Sequence, residues 1–248
     1  MLILQGLLLG VLIGTTLGVV GAGGAILAVP GLVAVMGLSA TAATTSSMVV
    51  VGAAALSGAL RRLNSKNLDI TTGVTFSLLG FLGTLLGSQL VGFFSDRALI
   101  LLFALLMFAA AIGMWRHQVL DREMAKPAWT MVVLTASTVG LLTGLLGVGG
   151  GFLIVPALVL ILGVKVKLAA GTSLVAIAIN SIIAFLLRFH YWHLVPWNSV
   201  LVFTAAAVLA SFVTTPLATK LPSKALQKSF AVLVVVVAIF MVITQGMK

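Results

Sequence analysis

Gly18–Gly31 reads GVVGAGGAILAVPG, and Gly144–Ala157 reads GLLGVGGGFLIVPA. Each stretch crowds glycines and one proline into a run that otherwise holds only Val, Ala, Ile, Leu and Phe. In a helix interior glycine costs about 1 kcal/mol and proline about 3 kcal/mol relative to alanine. The surroundings are nevertheless apolar enough for a bilayer. A lipid-embedded chain that breaks its helices twice, in the same way, is the reading that decides the fold.

The rest of the chain supports the lipid setting. Of its 248 residues 61% are hydrophobic and 7% charged, and the mean hydropathy is +1.30. A soluble domain carries about 25% charged residues. Apolar runs follow one another from end to end, which predicts an all-α polytopic membrane protein. They lack the polar–apolar alternation of a β-barrel. The first residues, MLILQGLLLG, have no basic region and no clear cleavage site, so they read as a first span rather than a signal peptide. The sequence has no cysteine, hence no disulfide or thiolate chemistry. The net charge of +10 sits in short loops between apolar runs. There it sets orientation and meets anionic lipid, so the bilayer is the expected partner and nucleic acid is not.

A shift of 126 residues lays the chain on itself. Gly14, Gly18, Gly21, Gly23, Gly24, Leu27, Val29 and Pro30 fall on Gly140, Gly144, Gly147, Gly149, Gly150, Leu153, Val155 and Pro156. Gly37 falls on Gly163, Ala43 on Ala169 and Ser47 on Ser173; near the end the shift becomes 127, where Asp96–Leu99 matches Ser223–Leu226. The expected organisation is a first membrane repeat over 1–115, a cytoplasmic linker over 116–128 and a second membrane repeat over 129–248. Such duplication is common in secondary transporters.

Each repeat divides into five apolar segments, about 2–20, 25–38, 42–60, 70–94 and 98–115, then 129–147, 151–163, 170–187, 199–219 and 225–244. The second of each five is short and holds the proline. Fourteen helical residues rise about 21 Å against a core of about 30 Å. If all ten cross, the odd number inverts one repeat relative to the other. Arg61, Arg62, Lys66, Arg116, Arg122, Lys126, Lys165, Lys167, Lys220, Lys224 and Lys228 then share one side, against Arg97, Arg188 and Lys248. If the short segments re-enter, leaving eight crossings, the split falls to 8 against 6. The positive-inside rule selects the inverted arrangement, with both termini outside. The tryptophans, Trp115, Trp129, Trp192 and Trp197, stand where an interfacial belt is expected.

The chain has four acids, Asp69, Asp96, Asp121 and Glu123, all in or beside loops. No carboxylate and no clear Lys or Arg falls in mid-membrane, which argues against a carboxylate proton relay or a strong cation site. His117, His190 and His193 lie near interfaces and read as interfacial residues. No metal-ligand cluster or catalytic triad is visible, so no enzyme, metal or cofactor is expected. The glycines follow no strand, which excludes a dinucleotide site.

What remains is neutral and polar. Thr45, Ser46 and Ser47 follow the first short segment; Thr172 and Ser173 follow the second, with Asn180 two turns on. Gly14/Gly18, Gly83/Gly87 and Gly140/Gly144 have GxxxG spacing and read as packing surface. The clusters ending in Gly23–Gly24 and Gly149–Gly151 are different. Glycine leaves a helix easily, and Pro30 or Pro156 removes a further N–H. Gly21, Pro30, Gly147 and Pro156 therefore mark structural breaks. A helix starting at a break turns free N–H groups and its positive dipole end into a cavity. Two such ends, meeting near the midplane, would hold an anion with no charged side chain. The expected substrate-binding residues are Gly23, Gly24, Gly149, Gly150 and Gly151, lined by Thr45, Ser46, Ser47, Thr172, Ser173 and Asn180.

At Gly147–Leu174, and in the weaker copy Gly21–Met48, the chain resembles the sulfite exporter TauE/SafE family, also called TSUP. Size, hydropathy and duplication extend the resemblance over nearly the whole chain. It implies a multi-pass plasma-membrane transporter, bacterial or archaeal, for a sulfur-containing anion: sulfite, thiosulfate or an organosulfonate such as sulfoacetate. Export is the direction the family name carries, and alternating access by one half rocking on the other is the expected mechanism. Ala25 stands where the second copy has Gly151, which makes the half-sites unequal. A passive anion channel and a non-transporting accessory subunit are the alternatives; a homo-oligomer is left open.

Overall fold

The computed structural model describes residues 2–90, 93–94, 96–116, 128–146 and 151–246. Every regular element among them is helical. The first five helices are α1 (Leu2–Val20), α2 (Gly23–Met36), α3 (Ala40–Arg62), α4 (Ile70–Leu90) and α5 (Asp96–Arg116). The second five are α6 (Trp129–Leu146), α7 (Gly151–Pro156), α8 (Val166–Leu187), α9 (Trp197–Lys220) and α10 (Ser223–Gly246). A π segment, Ala157–Ile161, continues α7, and a 3₁₀ segment, Phe189–Leu194, joins α8 to α9. These are the ten apolar segments, with ends moved by a few residues. Among the described residues, Thr41–Arg62, Ile70–Leu90, Val166–Leu187 and Trp197–Lys220 are long and apolar enough to cross a membrane, with shorter apolar helices beside them. Leu101, Leu134, Leu209 and Val213 stand exposed on the outside, as a lipid-facing surface requires. The linker and its His117, Asp121 and Glu123 lie almost wholly outside the described residues.

One boundary departs from expectation in a way that matters. Arg61 and Arg62 belong to the last turn of α3 rather than to a loop. Hydropathy falls where charge begins, but helix geometry does not. Arginine is a good helix former, and its charge suits the negative end of the dipole.

The helix breaks are built by glycine in the left-handed region. Gly21 (φ 88°) separates α1 from α2, and Gly37 (φ 65°) and Gly163 (φ 66°) end the two short segments. The match of Gly37 with Gly163 thus has a backbone cause: both are left-handed caps. The copies differ after the proline. α2 continues through Pro30 to Met36. Past Pro156 the ladder widens, with Leu162 N–H donating to the Ala157 carbonyl at 3.2 Å.

Contact registers give the helix directions. Gly6, Gly10, Gly14 and Gly18 of α1 meet Phe203, Ala206, Ala207 and Thr214 of α9 in ascending order, so the two helices run parallel. Gly80, Gly83 and Gly87 of α4 ascend likewise along α6. A Cβ added at Gly14, Gly18, Gly83, Gly140 or Gly144 would come within 2.8 Å of the partner's backbone, so these GxxxG glycines are packing surface. α3 and α8 run antiparallel: Gly52 meets Ser181, Gly58 meets Leu174, and Arg62 reaches Lys167.

The pairs α1–α9, α4–α6, α3–α8, α2–α7 and α5–α10 map onto themselves when the two sets of five helices are exchanged. Each of these pairs takes one helix from each set. The two sets are therefore interleaved, and neither can rock as a separate body without breaking the closest glycine packing.

Candidate functional site

The first break lies against the start of α8. A Cβ at Gly21 would sit 2.8 Å from Ala170 Cα and from Ser173 Oγ. Ser173, fully buried, donates to the Ala170 carbonyl at 3.0 Å. The starts of the two short helices also meet. A Cβ at Gly151 would touch the Ala25 methyl at 3.1 Å and Ile177 of α8 at 3.0 Å. α2 begins with no side-chain cap, so its first N–H groups depend on neighbours or a ligand.

The other expected residues divide between lining and packing. Gly23 faces Leu233 of α10, and Gly24 lies against Ile13, Thr16 and Leu17 of α1; both are buried in helix packing. Thr45 donates to the Thr41 carbonyl at 2.8 Å and Ser47 to the Thr44 carbonyl at 2.7 Å. Ser46 Oγ is buried without a hydrogen-bond partner among the described residues. Thr172 Oγ1 accepts from the Asp69 N–H at 3.2 Å and ties the α3–α4 loop to α8. Pro30 and Pro156 lie inside α2 and at the end of α7. Gly147, Gly149 and Gly150 are outside the described residues.

Asn180 belongs to a different feature. Its Oδ1 accepts the Ser77 hydroxyl at 2.5 Å, and it lines a cavity of about 250 Å³ between α4, α6 and α8, in which a few polar groups interrupt a mostly apolar wall. Thr84, Ser88, Thr143, Gly144 and Arg188 share that wall, with Met48 of α3. The larger grooves on α5–α10 and α1–α9 are almost wholly apolar, as lipid-facing grooves are. Asp69 is not a ligand in waiting: its carboxylate accepts from the N–H and hydroxyl of Thr72 and caps α4.

Sequence reasoning missed a charge. Arg62 is 2% exposed. Its Nη1 donates to the Lys167 carbonyl at 3.2 Å and its Nη2 to the Gly18 carbonyl at 3.1 Å. Nε has no partner among the described residues. Among those residues no carboxylate bonds to the guanidinium. A buried cation compensated only by carbonyl dipoles is costly, and it is an electrostatic invitation to an anion. The signal was present in the repeat: a shift of 126 places Arg62 on Arg188. His190 and His193 are exposed in the aromatic 3₁₀ segment, beside Trp192 stacked on Phe185. Among the described residues no cluster of metal-binding side chains occurs.

Comparison with known proteins agrees with a transport setting. Residues 6–241 match the family described as sulfite exporter TauE/SafE. A probable membrane transporter protein of Xylella fastidiosa (strain 9a5c) is 32% identical over 246 residues, covering 94% of this chain and 92% of its own. The probable membrane transporter protein YunE of Bacillus subtilis (strain 168) is 25% identical over 199 residues, 70% of this chain and 73% of its own. No solved structure matches the chain.

Proposed function

The chain belongs to the sulfite exporter TauE/SafE family, and from that premise we propose a secondary transporter of a small sulfur-containing anion. Sulfite, thiosulfate and organosulfonates such as sulfoacetate are the candidate cargoes, moved outward across the plasma membrane by alternating access. The observation that carries this reading is the meeting of the two short helices at Gly151 and Ala25, beside Gly21 and Ser173. Helix starts and hydroxyls hold an anion through N–H and O–H donors, and no acid lies among them to repel it. The excess of basic residues on the Arg62 side supports a cytoplasmic location for that side. A carrier is favoured over a channel because Arg188 lines a cavity whereas its repeat mate Arg62 is buried among the described residues.

Protein reconstituted in liposomes should show saturable uptake and counterflow of sulfoacetate or sulfite. Gly150→Leu and Ser173→Leu should abolish it, and Ser173→Ala, which removes only the hydroxyl, should weaken it while the detergent-solubilised protein keeps its melting temperature and elution volume. Full transport by both leucine variants would overturn the site. Flux without saturation or counterflow would favour the channel.

A further inference from the structure

Two arginines at matching repeat positions occupy opposite situations. Arg188, at the end of α8, lines a cavity with the polar Thr84 and Ser88 and with Gly144, in an otherwise mostly apolar wall. The matching residues are found from the packing. Gly140 meets Gly80 as Gly14 meets Ala207, so α4 maps onto α9 with a shift of 127. Thr84 then corresponds to Ser211, Ser88 to Thr215, Gly144 to Gly18 and Arg188 to Arg62. On this second side the same wall is collapsed. Ser211, Thr215 and Arg62 are each 2% exposed or less. A Cβ at Gly58 would come within 2.9 Å of Ser211 Oγ, and Arg62 is bonded to the carbonyl of Gly18 itself.

Arg62 Nε and Ser211 Oγ, both buried in this collapsed wall, have no hydrogen-bond partner among the described residues. Buried polar groups are almost always paired. Both atoms carry a hydrogen-bond donor, the kind of group an oxyanion accepts from.

We propose that Arg188 and Arg62 are the two ends of one anion path, repeat-related capture sites of which only the Arg188 end is open in this structure. The ligand class is a small oxyanion or a sulfonate headgroup, for which a guanidinium offers paired N–H donors. In the alternate state the anion displaces the Gly18 and Lys167 carbonyls from Arg62, and Arg188 closes on Gly144 in the matching way. The ends of α8 that carry Lys167 and Arg188 are about 30 Å apart, so the two sites serve opposite faces of the bilayer. This rests on the proposed anion transport for its ligand, but not for its geometry.

The absence of cysteine makes the test direct. Thr84→Cys and Ser211→Cys report the two matching walls to a membrane-impermeant thiol reagent in open membranes. With Arg62 intact, Thr84→Cys should react at least tenfold faster than Ser211→Cys. Adding R62Q should raise Ser211→Cys labelling at least tenfold. Equal labelling of the two cysteines, or no response of Ser211→Cys to R62Q, overturns the proposal. R188Q should raise the half-saturation concentration for sulfoacetate at least tenfold, with R188K intermediate. If the wild type moves sulfoacetate and R188Q does so with unchanged half-saturation, the arginine assignment fails alone. If the wild type moves none of sulfoacetate, sulfite and thiosulfate, the proposed function and the capture role fail together, and labelling decides the geometry.

Discussion

Three glycines with positive φ differ in what surrounds them, and this separates backbone strain from crowding. At Gly37 an added Cβ would meet nothing within 4 Å, whereas at Gly21 it would press on Ala170 and Ser173. A left-handed conformation costs an L-residue roughly 1–2 kcal/mol, so Gly37→Ala should lower unfolding stability by about that much and leave transport nearly unchanged. Gly21→Ala should lose more, because α8 must also retreat, and it should lose transport. A chemical-denaturation series in detergent with a parallel flux assay checks the ordering; equal effects would remove Gly21 from the site. Gly21 was legible as a break because its mate Gly147 repeats it. Arg62 was not. A charge at the end of an apolar run reads as loop, and only the fold reveals that Gly18 and Lys167 close over it.

At the scale of elements, glycine stripes decide which helices touch. Without a hydrophobic drive between helices in lipid, close backbone approach supplies the contact energy. Gly140 lies on Gly80 backbone, which cannot move aside, whereas Gly113 lies under the flexible end of Leu160, 2.7 Å from an added Cβ. Gly140→Val should therefore destabilise by about 1–3 kcal/mol or more, in the range of overpacking, and Gly113→Ala by far less. Thermal unfolding of the purified variants gives the comparison. Segment number and the two short helices could be read from hydropathy and repeat alone, since lipid demands long apolar runs. The π segment after Pro156 could not: both copies carry the proline, and only one ladder widens.

At the scale of the whole molecule, the interleaving of the repeats limits what can move. The stripes bind α1 to α9 and α4 to α6, while the open cavity lies between α4, α6 and α8 and its collapsed match between α9, α1 and α3. On the proposed transport cycle, access would alternate by α4–α6 closing on α8 as α1–α9 leaves α3, with each glycine-packed pair travelling as a unit. No single sequence carries this, because both repeats share the same stripes and the difference lies in which wall is filled. Cross-links distinguish the two kinds of contact. Gly58→Cys/Ser211→Cys spans α3 and α9, and its geometry is within reach of a bridge, since a Cβ at Gly58 lies 2.9 Å from Ser211 Oγ. Oxidation of this pair should stop sulfoacetate flux, and reduction should restore it. Thr15→Cys/Thr214→Cys puts thiols on α1 and α9 in the groove that both residues line, and joining them with a flexible bis-maleimide should leave flux largely intact. Arrest by the second bridge as complete as by the first would mean that α1 and α9 must separate during transport, and the paired-helix movement would be wrong.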